Sequence, residues 1–282
     1  MLINKDFTSY KILATTSGEK IEKIGSKIIQ REESNALPCG SFSGIVDSYY
    51  KEKAWHPKLE PWIINYKDLK FVIEQGKTHH IGIFPEQASN WDWIQKQISM
   101  NEKPSKFLNL FAYTGAATVA AAKVGCEEIV HIDALKTSIE AAKENVAINN
   151  LSNEYIRFIQ DDVMKFLKRE DKRGRQYDGI VMDPPSFGRG PKGEIWKIEK
   201  DLEPLLDAAV KLLQDHGKFL IINTYSKNLS KHDVEAILQK TLKKYNLPCH
   251  TRAYDLMLPI ENTNQFLESG QTVRWALNEN NL

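Results

Sequence analysis

Glycine and carboxylate residues stand at four places where an apolar, strand-like run gives way to a turn. Ala112-Tyr113-Thr114-Gly115 follows Phe107–Phe111, Asp133 ends Ile129–Asp133, Asp161-Asp162 follows Tyr155–Gln160, and Asp183-Pro184-Pro185 closes Gly179–Asp183. Ligands of an open parallel sheet bind outside the carboxyl ends of its strands, so the four turns point to one site. Gly115 opens a helix directly after a strand, which lets the backbone approach a ligand and aims helix amides at its anionic part. Asp133 ends the next strand about twenty residues on, the spacing at which a carboxylate accepts both hydroxyls of a ribose. Glycine and aspartate together describe a nucleoside-shaped pocket.

The turn Tyr113-Thr114-Gly115-Ala116-Ala117-Thr118 has one glycine where a dinucleotide fingerprint reads G-x-G-x-x-G, and no P-loop lysine follows, so a pyrophosphate would be poorly cradled. S-adenosylmethionine has no phosphate, only an amino-acid end, a ribose and an adenine, and one glycine turn suffices for it. Its methyl sulfonium is already activated, so an enzyme using it has mainly to hold a nucleophile in line and exclude water. Pro184 and Pro185 stiffen the loop and remove two amide donors, leaving carbonyls and the Asp183 carboxylate to accept from an amino or ring N–H. Phe187 offers a face on which a flat base can stack.

Three segments in this order carry a family likeness: Phe84-Pro85-Glu86-Gln87, Phe107–Gly115, and Asp183-Pro184-Pro185-Ser186-Phe187. The chain from about Asp68 onward resembles the S-adenosylmethionine-dependent methyltransferases related to the large-subunit ribosomal RNA methyltransferases. The likeness implies that Asn109, Phe111, Tyr113, Thr114 and Gly115 surround the methionine end, and that Asp133 with Ala134 takes the ribose. It implies further that Asp162 and Val163 face the adenine, that Phe84 and Gln87 cover the cofactor from the other side, and that Asp183 borders it while serving, with Pro184, Pro185 and Phe187, as the catalytic loop. For each carboxylate the alternative is an exposed helix N-cap, above all at Asp161.

Two departures refine the expected chemistry. Relatives that methylate amino nitrogens place an aromatic directly after the prolines, whereas here Ser186 intervenes. Relatives that methylate a cytosine carbon place a cysteine just after the next strand, because a thiolate must add to the ring; here Thr224-Tyr225-Ser226-Lys227 puts Lys227 at that place. Transfer to a nitrogen or oxygen that brings its own lone pair is therefore favoured, and the resemblance makes a nitrogen of a ribosomal-type RNA base the leading expectation. A small molecule or protein side chain as substrate, and a non-catalytic nucleotide- or RNA-binding protein, are the alternatives. Gly188-Arg189-Gly190-Pro191-Lys192-Gly193 reads equally as a basic lid or a solvated turn.

The elements that must position these residues alternate regularly. The spacing predicts helices at Ala116–Val124, Thr137–Asn149, Val163–Glu170, Glu199–Leu213 and Asp233–Tyr245, the last capped by Ser230, and a strand at Lys218–Asn223. A closing strand pair, Cys249–Met257 and Gln271–Leu277, is joined by a polar loop over Pro259–Gly270. Such βαβ repetition implies an α/β, Rossmann-like, mostly parallel sheet with helices on both faces. Ahead of it, Lys70–Glu74 and His80–Phe84 read as strands and Ser89–Met100 as a Trp-rich helix. Residues 1–66 read as a small β-rich accessory domain whose Tyr49, Tyr50, Trp55 and Trp62 serve its core before any base stacking, and 67–282 as the methyltransferase domain.

With 38 Lys and Arg against 37 Asp and Glu, the formal net charge of +1 lacks the footprint of a strong nucleic-acid binder, so RNA would be held through local basic patches. Cys39, Cys126 and Cys249 lack C-x-x-C spacing, and the His79-His80 pair lacks spaced partners, so no metal is expected. The N-terminus has no long apolar core and no stretch approaches about 18 apolar residues, so the expectation is a cytoplasmic protein with no membrane partner.

Overall fold

The computed structural model describes residues 1–100, 105–189, 195–213 and 217–282. Its first strands are β1 (Leu2–Ile3), β2 (Tyr10–Thr16), β3 (Glu19–Ile24), β4 (Lys27–Glu32), β5 (Ser48–Lys51), β6 (Ala54–His56), β7 (Trp62–Tyr66) and β8 (Leu69–Ile73). Strands β2 to β6 form one sheet in sequence order, antiparallel except for the β4–β5 pair, and β7 and β8 form a separate hairpin. Tyr50 and Trp55 are buried here, ring to ring at 5.3 Å, as a core reading requires, whereas Tyr49 is exposed and stacks only on His56.

The rest of the chain alternates: α1 (Ala88–Ser99), β9 (Lys106–Leu110), α2 (Ala116–Lys123), β10 (Glu128–Asp133), α3 (Lys136–Ile148), β11 (Ile156–Gln160), α4 (Val163–Lys172) and β12 (Gly179–Met182). Then come the short hairpin strands β13 (Phe187–Arg189) and β14 (Ile195–Lys197), α5 (Ile198–Lys211), β15 (Phe219–Thr224), α6 (Lys231–Lys244), β16 (Thr251–Pro259) and β17 (Phe266–Ala276). The main sheet has the order β1-β16-β17-β15-β12-β9-β10-β11. Its strands from β15 to β11 are parallel; β17 runs against β15 and β16, and β1 returns parallel to β16.

Strand periodicity sorts the core into two layers. Leu108, Leu110, Val130, Ile132, Ile180 and Met182 face α4, α5 and α6; Phe107, Ile129, Val181, Phe219 and Ile221 face α1, α2, α3 and the N-terminal strands. The fold is thus the expected Rossmann-like α/β sheet with helices on both faces and a separate β-rich sheet before it. Ser230 caps α6 through a reciprocal pair with Asp233. No helix among the described residues is long and apolar enough to cross a membrane, and none of their His, Cys, Asp and Glu residues cluster into a metal-binding group.

Two expectations need correction. Residues His80–Phe84 are not a strand: Gly82 lies at φ +87° and its carbonyl accepts from the Thr114 hydroxyl at 2.5 Å, so the apolar alternation there serves a loop strapped to the site. The loop over Pro259–Gly270 is shorter than expected, because Phe266–Gly270 already pairs with β16 around a bulge at Leu256/Met257. Most of the segment read equally as a lid or a solvated turn, residues 190–193, lies outside the described residues, and its flank at Phe187–Arg189 is strand β13.

Candidate active site

After β9, β10 and β11 are laid down in one direction, the chain returns to add β12 on the other side of β9. The carboxyl ends of β9 and β12 therefore form the switch point at which such sheets open a crevice. A cleft of about 750 Å³ opens there, lined by the 111–117 turn, Asp133-Ala134-Leu135, Asp183 to Ser186, and Phe84, Glu86 and Gln87.

The turn after β9 is held in a costly conformation. Phe111, Tyr113 and Gly115 all have positive φ, at 56°, 49° and 81°. Such values cost a side-chain-bearing residue of order 1–2 kcal/mol each and persist only where the surroundings impose them. Here Ala112 N–H donates to the Ile132 carbonyl at 2.9 Å and Tyr113 N–H to Asp133 Oδ2 at 2.9 Å, while Asn145 of α3 donates to the Thr114 carbonyl at 2.9 Å. Asn145 also accepts from Val72 N–H at 2.8 Å, and one turn on Asn149 accepts from Lys70 N–H at 2.8 Å, so α3 gives β8 the partners an extra strand would supply. At Gly115 a Cβ would sit 3.0 Å from Ala142 Cβ and 3.3 Å from His131 Cε1, so a side chain there would have to push α3 or His131 back by a few tenths of an ångström.

Asp133 accepts from Tyr113 N–H through one oxygen and from Leu135 N–H through the other at 2.8 Å. Burial nevertheless pushes its carboxyl above the ordinary value, against those two amides. Asp183 is pushed up to about 7 by burial among the cleft walls and by the neighbouring Glu86 charge. Burial likewise raises Glu86 to about 7, although Lys20 and Arg31 pull against it. Tyr225 stands between these groups: its hydroxyl accepts from Gln87 at 2.8 Å, and its ring lies 5.9 Å from that of Phe84.

Of the residues named from sequence, Phe84, Gln87, Asn109, Phe111, Tyr113, Thr114, Gly115, Asp133, Ala134, Asp183, Pro184 and Pro185 line this one cleft. Asn109 lies beneath it, 4% exposed, donating to Thr118, whose hydroxyl meets His131 Nδ1 at 2.9 Å. Asp162, Val163 and Phe187 are not among the lining residues. Asp162 accepts from Lys165 N–H at 2.8 Å as the N-cap of α4, Val163 packs into the α4–α6 layer, and Phe187 is 53% exposed on β13.

Sequence reasoning missed Glu86, Tyr225 and the outer wall. Glu86 lies within the quoted Phe84–Gln87 segment, and Tyr225 follows β15 at the same sheet edge as the other turns. The outer wall comes from β3, β4 and the 79–80 loop, with Lys20, Arg31, Glu33, His79 and His80. Lys20 and Arg31 are buried against Glu22, with Lys20 Nζ at 3.3 Å and Arg31 Nη2 at 3.0 Å from Oε1. No short-range signal announces that these residues face the cleft, because only the docking of the first sheet brings them there.

The sequence model of an S-adenosylmethionine-dependent methyltransferase family matches residues 47–228. Ribosomal RNA large subunit methyltransferase K of Neisseria meningitidis serogroup B is 31% identical over 195 residues, 67% of this chain and 53% of that protein. The K/L enzyme of Shewanella frigidimarina is 36% identical over 154 residues, 54% of this chain and 21% of that one. The chain thus spans about half and about a fifth of the lengths of these two relatives. Among solved structures, the SAM-dependent methyltransferase from Agrobacterium tumefaciens is 29% identical with a TM-score of 0.91, covering 98% of this chain and 93% of that one. The fold is also that of SMU.776, solved complexed with SAH, at a TM-score of 0.69 and 18% identity over 96% of this chain and 76% of that one.

Proposed function

Because the chain belongs to the S-adenosylmethionine-dependent methyltransferases, we propose that it transfers the methyl group of that cofactor to a nitrogen of an RNA base, ribosomal RNA being the class its relatives are named for. The observation that carries the reading is a single cleft holding both the strained 111–115 turn with Asp133 and the Asp183-Pro184-Pro185 loop. In this reading the 111–115 turn and Gly115 amides hold the amino-acid end of the cofactor, Asp133 and Ala134 hold its ribose, and Phe84 and Gln87 cover it. Asp162, with its second carboxylate oxygen, and Val163 border the adenine beyond Leu135. The bound cofactor supplies an activated methyl group, and the chain supplies position.

Asp183 accepts the N–H of the target nitrogen and draws its proton as the methyl arrives, with Pro184 and Pro185 keeping competing amides away. Phe187, exposed on the adjoining hairpin, is the stacking face for the base. Cys39, Cys126 and Cys249 lie outside the cleft lining, and burial pushes the Cys126 thiol up to about 12, which supports a heteroatom target over thiol-assisted carbon methylation. Residues 1–66 act as an accessory unit forming the outer wall, and exposed Lys227 at the mouth offers local positive charge to a polynucleotide.

Titration calorimetry with S-adenosylmethionine tests the cofactor site: the wild type binds and Asp133→Ala does not. Label from methyl-tritiated cofactor should enter ribosomal RNA from a strain lacking the gene with wild type but not with Asp183→Ala. Absence of labelling by the wild type, or equal labelling by both, rejects the reading, and nucleoside mass spectrometry names the modified atom.

A further inference from the structure

A one-way chain of hydrogen bonds enters the cleft from behind. It starts at Arg274 on β17, 6% exposed, whose guanidinium makes no ion pair among the described residues and lies between the rings of Trp93 and Tyr254 at 5.0 and 5.6 Å. A guanidinium has donors and no acceptor, so every bond after it has a forced direction. Arg274 Nε donates to Asn90 Oδ1 at 2.9 Å, which turns the Asn90 amide nitrogen toward Gln87 Oε1 at 2.7 Å and Asn223 Oδ1 at 3.0 Å. With its oxygen so engaged, Gln87 donates through Nε2 to the Tyr225 hydroxyl at 2.8 Å. That hydroxyl has a single proton, and with Gln87 as donor the proton points away from Gln87 to the Glu86 carboxyl, its acceptor in the cleft that also holds Asp183 and the one a substrate acceptor must replace.

The ring is as firmly placed as the hydroxyl. A Cβ at Gly270 would lie 2.7 Å from Tyr225 Cε1, so β17 keeps glycine where the ring passes. Phe84 packs on the ring's other surroundings, within the same cleft.

We propose that Tyr225 is the hydrogen-bond donor that meets the substrate, that Arg274 is the positioning residue setting its direction, and that the methylated group carries an acceptor beside the N–H facing Asp183. The inference rests on the methyl-transfer reading of this cleft. A donor on one wall and a carboxylate acceptor on another match the paired acceptor and N–H along the edge of a nucleobase, a ring nitrogen or carbonyl beside an amino or ring N–H. They do not match an isolated amine, which offers no acceptor while its proton is held. Tyr225 therefore restricts the substrate to groups with an acceptor beside an N–H, a nucleobase edge in the methyl-transfer reading above, and excludes isolated amines.

The test combines two near-isosteric variants with the tritiated cofactor and ribosomal RNA from a strain lacking the gene. Tyr225→Phe leaves cofactor affinity unchanged by calorimetry and lowers kcat about tenfold, the loss of one neutral hydrogen bond made in the transition state. Asn90→Asp keeps the bond from Arg274 but can only accept, so Gln87 and Asn223 both turn to donate to it, and Gln87 offers its own oxygen to Tyr225, whose proton is drawn away from the substrate. The expected result is the same fall in kcat, with a melting temperature no lower than wild type because Arg274 gains a carboxylate. The double variant should be no slower than Tyr225→Phe alone. Full activity of Tyr225→Phe, or losses that multiply in the double variant, overturns the proposal. If the wild type labels no RNA, the substrate reading fails by itself, and neutron diffraction of the perdeuterated protein decides the chain: a Tyr225 deuteron aimed at Gln87 overturns it, one aimed into the cleft upholds it.

Discussion

Two carboxyls in one cleft, Glu86 and Asp183, are each raised to about 7, so near neutrality they share protons and titrate as a pair. The ionised form of Asp183 is the acceptor in the proposed transfer, so kcat should rise about tenfold between pH 6 and 8. Glu86→Gln removes the like charge and should move the midpoint to lower pH, while Asp183→Asn should give a low, flat profile; an unmoved midpoint counts against the pairing. At Gly115 the argument is steric: alanine there meets Ala142 at 3.0 Å and retains φ +81°. Gly115→Ala should cost about 1–2 kcal/mol of stability from the left-handed backbone, and calorimetry should show weakened cofactor binding. Residues of the cleft lining were legible where a strand-end rule reached them, as at Asp133 and Asp183. Asp162 satisfies the same rule and caps α4 outside the cleft lining, since one carboxylate after a strand suits both uses.

Among elements, the βα units were legible to within a residue or two because apolar periodicity, a strand-end carboxylate and a cap agree. At α6 the expected Ser230 cap forms, with Asp233 reciprocating. Ser230→Ala should lower unfolding free energy by about 1 kcal/mol in urea titrations and leave cofactor affinity untouched, because α6 packs on the face away from the cleft. The His80–Phe84 segment misled because Ile81 and Ile83 are buried as in a strand, while Gly82 between them turns its carbonyl to Thr114. Periodicity reports burial there, not hydrogen-bond partners. The β13–β14 hairpin had no signal of its own, and Trp196 shows why it forms: its indole donates to the Pro185 carbonyl at 2.6 Å, tying the hairpin to the Asp183-Pro184-Pro185 loop.

At the scale of the molecule, the first sheet is fastened by charge as well as by apolar contact. Burial alone would raise Glu22, but Arg31 and Lys20 more than reverse it and hold it at about 2. Its folded value lies below the unfolded one, so the stability it confers is present above the unfolded value and is lost as pH falls toward about 2. Glu22→Gln leaves buried Arg31 without its carboxylate and should cost about 3–5 kcal/mol at neutral pH, read from urea unfolding. None of these buried pairs within the sheet was legible from sequence, where Lys20, Glu22 and Arg31 look like the polar face of a solvated sheet. The same holds for β1, whose Leu2 and Ile3 pair with Leu256 and Met257 at the far edge of the main sheet. Pairing residues so far apart in the chain is a non-local contact, whose closure entropy must be met before the contact returns anything. The central βα units draw on local contacts, whereas β1 and the wall that β3 and β4 give the cleft draw on distant ones, so in refolding experiments cofactor binding should lag the recovery of far-ultraviolet circular dichroism: competence to bind should trail compactness.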